Sequence, residues 1–205
     1  MKVEKQWYII RHGETEPNRM QIIQGSGIDA PLNDRGKRQA RDFFSAYRHI
    51  PFDAVYTSAL IRTKESVAQF LASGLPHIEV PELNEISWGD FEGKPQTPDQ
   101  KRIYWEMIEA WNKGELDKKI TNGESPIELQ LRQQKALETI LNHEAEQILI
   151  CMHGRAMKSF LCLMLNKPLT AMEEFQHSNL CLYQVRYTGA EFNLQLSNSI
   201  LHLVY

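Results

Sequence analysis

Two short apolar runs in this chain end on the same dipeptide. Trp7-Tyr8-Ile9-Ile10 runs into Arg11-His12-Gly13, and Ile148-Leu149-Ile150-Cys151-Met152 runs into His153-Gly154. Runs this short and this continuously apolar, bounded by polar residues, read as strands buried on both faces. Ala54-Val55-Tyr56-Thr57 predicts another, and Ile78 to Val80 a shorter one. Helical patterns lie between them. Ala40, Phe43, Phe44 and Tyr47 share one face of a helix that starts near Leu32-Asn33-Asp34 and stops at Pro51. Leu60, Val67, Ala68 and Leu71 predict a second helix, closed by Gly74 and Pro76. Ser125-Pro126-Ile127-Glu128 is a strong helix start: serine caps, proline suits the first helical position, and glutamate completes a capping box. Leu129, Ala136, Leu137, Ile140 and Leu141 give that helix a buried face. Ala156 to Leu165 reads as a further helix. Leu180 to Tyr187 and Glu191 to Leu196, split by Thr188-Gly189, read as closing strands.

Strands alternating with helices predict an α/β fold: a three-layer sandwich with a mostly parallel central sheet and helices on both faces. The 205 residues suit a single domain. The stretch from about 93 to 123 stands apart, with Pro95, Pro98, many charges, Tyr104, Trp105 and Trp111. It predicts a small cap insertion with its own helix. Trp105 and Trp111 are expected in the core of the cap, and Trp88 is expected to pack beneath the adjoining loop.

In open α/β sheets, ligands bind beyond the carboxyl ends of the strands. His12 and His153 both belong there, each followed by a glycine that permits close backbone approach. Arg11 beside His12 points to an anion. The net charge of −3 and the lack of any basic block do not indicate a nucleic-acid surface, but a cleft can still concentrate positive charge. No apolar run is long enough to cross a bilayer. The chain opens almost directly into a strand, with no cleavage-site pattern. Cys151, Cys162 and Cys181 are scattered in apolar surroundings, which favours free thiols in a reducing, cytoplasmic compartment and no thiolate metal site.

The fuller string Arg11-His12-Gly13-Glu14-Thr15, with Asn18 following, resembles the signature of the histidine phosphatase superfamily, in its phosphoglycerate-mutase-like branch. Further matches follow in order: Gln24-Gly25 with Asp29-Ala30-Pro31-Leu32, Gly36 with Gln39-Ala40, and Thr57-Ser58-Ala59-Leu60-Ile61-Arg62-Thr63. Leu83-Asn84-Glu85 with Trp88-Gly89 and Glu92-Gly93, then His153-Gly154, complete the set. The resemblance implies His12 as nucleophile, Arg11, Arg62 and His153 around the phosphoryl group, and Glu85 as proton donor to the leaving alcohol. It implies Asn18, Gln24, Gly25 and Gly154 as substrate contacts, with no cofactor and no metal.

Physical chemistry suits these roles. Phosphoryl transfer needs an in-line nucleophile and positive charge on the equatorial oxygens. Arginine forks match phosphate oxygens, and the flanking arginines disfavour a protonated His12. A backbone carbonyl near Gly13 is expected to hold the other ring nitrogen. Glu82, Glu92 and Glu14 compete with Glu85 as carboxylates.

Three activities stay open: a phosphomonoester hydrolase, a phosphoglycerate mutase, and a non-catalytic phosphate-binding module or metal site built on His12, Glu14 and His153. The hydrolase is favoured. A mutase needs a second cationic set, and family mutases carry an arginine pair where this chain reads Glu109-Ala110-Trp111-Asn112-Lys113-Gly114. Trp88 stands where mutases have tyrosine, Arg155 where they have asparagine, and Gln24-Gly25 replaces their Thr-Gly. Lys94, Lys101 and Arg155 are the charges that would have to substitute. The partner is therefore a small phosphorylated substrate, with neither nucleic acid nor membrane involved.

Overall fold

The computed structural model describes residues 4–204. Its strands are β1 (Lys5–Arg11), β2 (Ala54–Thr57), β3 (His77–Glu79), β4 (Gln147–Met152), β5 (Leu182–Tyr187) and β6 (Phe192–Ser199). They form one six-stranded sheet in the order β3-β2-β4-β1-β5-β6. The first four in that order are parallel, and β5 and β6 continue antiparallel.

Alternation along the buried strands sorts the helices. Trp7 and Ile9 on β1, with Ile148 and Ile150 on β4, face α5 (Pro98–Asn112), α6 (Pro126–Asn142) and α7 (Gly154–Met164). Tyr8 and Ile10, with Leu149 and Cys151, face α2 (Asp34–Tyr47) and α4 (Ala68–Ala72) through Phe43 and Phe70. A short helix α1 (Glu16–Arg19) follows β1, and α3 (Ile61–Ser66) follows β2. The two-sided burial of β1 and β4 explains why their sequences are continuously apolar rather than alternating.

The Ser125 capping box is present, with Ser125 Oγ accepting from Glu128 N and Glu128 accepting from Ser125 N. Such a cap stabilises a helix by about 1 kcal/mol. Helix α5 begins with the same device, built by Thr97 and Gln100. Its Ile108 and Trp111 belong to the same apolar cluster as Trp7 and Leu129, so the 93–123 stretch shares the main core. Trp88 is buried and stacks on Trp111 with ring centroids 5.5 Å apart.

Two expectations need correction. Trp105 is 62% exposed and lies outside the core. The helix predicted across Leu60 to Leu71 is two helices that break at Val67, whose φ/ψ of −115°/10° is not helical. Ser66 Oγ donates to the carbonyl of Arg62 at 2.6 Å, a back-bond that bends helices. The three cysteines are free and buried. No helix among the described residues is long and apolar enough to cross a membrane.

Candidate active site

The pairing of Arg11 with Met152 across β1 and β4 brings the next residues, His12 and His153, side by side beyond the sheet. Their ring centroids are 5.2 Å apart. His12 is buried, and its Nδ1 lies 2.7 Å from the carbonyl of Gly13. A carbonyl can only accept, so Nδ1 carries the hydrogen and Nε2 of the neutral ring keeps a lone pair. Burial, then Arg62 and Arg11, hold the His12 pKa well below that of an ordinary imidazole. The ring is neutral at physiological pH, with Nε2 unprotonated.

Arg62 is fully buried, from the first turn of α3. Its Nε donates to His153 Nδ1 at 3.1 Å, Nη1 to the carbonyl of Ile28 at 2.7 Å, and Nη2 to that of Gly25 at 3.2 Å. Those bonds use three of the five N–H groups of a guanidinium, leaving one on each terminal nitrogen for an anion. Burial lowers its pKa to about 10, so the charge persists at neutral pH. Arg11 donates from Nη1 to the carbonyl of His177 at 3.0 Å, while its buried Nε has no protein partner.

His153, expected around the phosphoryl group, makes its bonds within the protein. Arg62 Nε can only donate, so His153 Nδ1 accepts and Nε2 carries the hydrogen. That hydrogen goes to Ser58 Oγ, 2.7 Å away. Both ring nitrogens are thus engaged by protein. Burial and Arg62 hold this imidazole neutral as well.

Glu85 is buried and reaches the start of α7. His153 is the N-cap of α7 but makes no side-chain capping bond. The Glu85 carboxylate fills that place from across the site. Its Oε1 accepts from Ala156 N at 2.7 Å and Ile86 N at 3.0 Å, and Oε2 accepts from Arg155 N at 3.1 Å. A helix N-terminus suits a carboxylate. Oε2 makes a single bond to protein. Arg132 Nη2 holds the Glu85 carbonyl at 3.0 Å and Nη1 that of Glu82 at 2.6 Å, while Glu124 braces the guanidinium.

Two of the competing carboxylates, Glu92 and Glu14, have other work. Glu92 accepts from Trp88 N at 2.7 Å and Gly27 N at 2.9 Å, tying two loops together. It also explains Gly25, because a Cβ there would strike the Glu92 carboxylate. Gly25 contributes its carbonyl to Arg62. Glu14 is engaged by Asn33 at 2.9 Å and Arg35 at 3.3 Å. The structure does not join Glu14 to the two histidines, and no cluster of metal-ligating residues occurs among the described residues. Gly154 packs where a Cβ would lie 3.0 Å from His177 Nδ1 and 3.3 Å from Arg11 Nε. Gln24 Nε2 donates to Thr15 Oγ1 at 3.0 Å, leaving its buried Oε1 unpartnered. Asn18 Oδ1 accepts from Thr15 N and from Asn179 Nδ2, both at 3.3 Å.

Toward α5, Arg155 is buried and ion-pairs with Glu173, which also binds Lys158 at 2.7 Å. Arg155 Nη2 reaches Tyr104 OH of α5 at 3.4 Å, and the guanidinium lies 5.7 Å from the centre of the Trp111 ring. Burial works against the Arg155 charge, but Tyr104 and Glu173 more than offset it and raise its pKa.

Sequence reasoning missed Ser58, Arg132, His177 and Asn179. Ser58 lies inside the Thr57–Thr63 match and was within reach. The other three act across long stretches of chain and leave no local pattern.

A neutral histidine with a free lone pair, flanked by guanidiniums and a carboxylate at a helix start, defines a phosphoryl-handling site. The chain belongs to the histidine phosphatase superfamily (branch 1), whose family model matches residues 7–200. Among curated relatives, it is 32% identical to "Probable phosphoglycerate mutase GpmB" of Yersinia pestis over 188 residues, 89% of this chain and 85% of that protein. Among solved structures it is similar to the alpha-ribazole phosphatase of Shigella flexneri (TM-score 0.82, 26% identity, 95% of this chain and 96% of that one). It is also similar to YhfR of Bacillus stearothermophilus (TM-score 0.82, 27% identity, 97% and 98%).

Proposed function

We propose that this chain is a metal-independent phosphomonoester hydrolase that forms a phosphohistidine at His12 and acts on a small phosphorylated metabolite in a reducing, cytoplasmic compartment. The observation that carries this reading is the His12 ring, with Nδ1–H tied to the Gly13 carbonyl and Nε2 free beside two guanidiniums. In the first step the Nε2 lone pair forms an N–P bond as the P–O bond to the leaving alcohol breaks. That oxygen takes a proton from Glu85 Oε2. The Nδ1–H···O bond to Gly13 stabilises the positive charge that develops on the ring. In the second step water attacks phosphorus, Glu85 takes its proton, and the N–P electrons return to Nε2. Arg11 and Arg62 neutralise the equatorial oxygens, which leaves no charge-compensating task for a cation. His153, neutral and bonded to Arg62 Nε, orients that guanidinium. Asn18 adds a neutral donor. The chain acts as one catalytic domain with 93–123 as its cap.

The name of the Yersinia relative favours a rival reading, the mutase. A mutase must hold a second anionic group while excluding water. Arg155, one of the substitute charges, is already matched by Glu173 and Tyr104. The test incubates the protein with a panel of phosphomonoesters. It includes 3-phosphoglycerate with a trace of 2,3-bisphosphoglycerate, with and without EDTA. Free phosphate released equally in both conditions is expected. Rapid isomerisation to 2-phosphoglycerate with negligible phosphate release contradicts the hydrolase reading.

A further inference from the structure

Amide side chains have two ends of equal size and opposite hydrogen-bonding sense, so an amide in an anion site helps only if something fixes which end faces the anion. In this chain a sequence of bonds does so, and it starts at the nucleophile's own backbone. Asn179 follows the 3-10 turn Leu169–Glu174 and lies just before β5. One end of its amide is 3.1 Å from the carbonyl of His12. A backbone carbonyl only accepts, so that end is Nδ2. The same Nδ2 lies 3.3 Å from Asn18, and the Asn18 atom opposite a donor must be an acceptor, Oδ1. Thr15 N, a second obligate donor, reaches the same Oδ1 at 3.3 Å. Two donors on one side leave Asn18 Nδ2 as the end turned away from them.

We infer that Asn179 is a positioning residue that sets the Asn18 amide so that its Nδ2 donates to the phosphoryl oxygens. The inference rests on the reading of Asn18 as a phosphate donor under the proposed function. Within the Thr15 capping box of the four-residue helix α1 the amide is held by one 3.3 Å bond, as long as the one from Asn179, so the two donors share the task of fixing Oδ1. Without Asn179 the amide samples the inverted orientation, which turns Oδ1 on the anion. Asn179 also ties Asn18 to the His12 carbonyl, so nucleophile and donor are held by one atom.

The test is a double-mutant cycle read as the inhibition constant of inorganic phosphate, with thermal melting of each variant measured alongside. Asn18→Ala is expected to raise that constant about tenfold, the scale of one lost hydrogen bond to a charged group. Asn179→Ala is expected to raise it severalfold to about tenfold by the same route. The double variant is expected to be no worse than Asn18→Ala alone, because Asn179 has nothing left to orient. Asn179→Ser is the second variant should Asn179→Ala fold poorly. It is too short to span both acceptors and is expected to behave the same way in the cycle. Multiplicative losses in the double variant overturn the inference while leaving Asn18 as a phosphate donor. A wild-type constant in Asn179→Ala or Asn179→Ser overturns it as well. A wild-type constant in Asn18→Ala removes both the inference and the Asn18 role in the proposed function.

Discussion

The proposed phosphate end and the proposed cap end of this site are held in place by different means. At the phosphate end, His12 and His153 follow paired strands, Arg62 is clasped by two backbone carbonyls, and Glu85 is seated on three backbone N–H groups. Main chain sets that geometry. On the cap side, Arg155, Glu173, Lys158 and Tyr104 hold one another by side chains alone. Under the proposed function, this chain would fix its chemistry through the main chain and leave leaving-group recognition to contacts that substitution can rearrange. Backbone-held groups change little when a neighbour is altered, whereas side-chain clusters repack.

That contrast predicts a graded response. Removing the nucleophile has the largest effect. His12→Ala should lose about 10⁴-fold or more in turnover, the scale for deleting a covalent nucleophile, while the protein stays folded. Steady-state rates with circular dichroism check both halves. Near-wild-type activity would show that the phosphate end is not where the chemistry lies.

Glu85→Gln sharpens the comparison at the boundary between the two ends. Alkyl phosphates should slow about 10²- to 10⁴-fold, while p-nitrophenyl phosphate slows far less, because nitrophenolate leaves without a proton. Equal slowing of both would recast Glu85 as the cap of α7 and a binding group only.

Arg155→Met tests the cap side. It keeps bulk and leaves Glu173 with Lys158, so the expected loss is about 1–3 kcal/mol of stability from the broken pairing. Relative rates across the substrate panel should shift more than the rate on any one small ester. Urea melts and the panel measure the two. A uniform loss across every substrate would place Arg155 with the phosphate end instead.

The effect that touches turnover least is a dependence of stability on pH. His12 and His153 have strongly depressed pKa values in the fold, and burial beside Arg11 puts that of His177 at about 2. The unfolded chain takes up protons at these residues near pH 6.5, and the folded one does not. Their contribution is therefore complete above about pH 6.5. It falls as the pH drops below that, by up to about 1.4 kcal/mol per pH unit for each histidine. Urea midpoints from pH 7 to 5 report it. A midpoint that rises as pH falls would mean the imidazoles charge within the fold.

Much of the phosphate end was legible because its signals are local. An apolar strand running into His-Gly, an arginine beside it, and a serine-proline helix start each fit within a few residues. The break at Val67 was not legible, because Ser66 turns inward to serve Arg62 and Gly13 rather than the helix. Nor was the task of His153, which depends on Ser58 and Arg62, both distant in the chain. Asn179 meets Asn18 from 161 positions away, and Arg132 meets Glu85 from 47. Such pairs carry no periodicity for a sequence pattern to reveal. Trp105 was misplaced because an aromatic in an insertion reads as core, while the helix face that packs is the one carrying Tyr104, Ile108 and Trp111.

The central claim is that His12 Nε2 becomes covalently phosphorylated. Rapid quench of the protein into alkali with a hydrolysed phosphomonoester, followed by digestion and mass spectrometry, tests it most directly. A phosphoryl group stable to base and labile to acid should appear on the peptide containing His12, form no more slowly than turnover, and vanish in His12→Ala. Steady hydrolysis with inversion of configuration at phosphorus and no phosphorylated His12 would contradict the account.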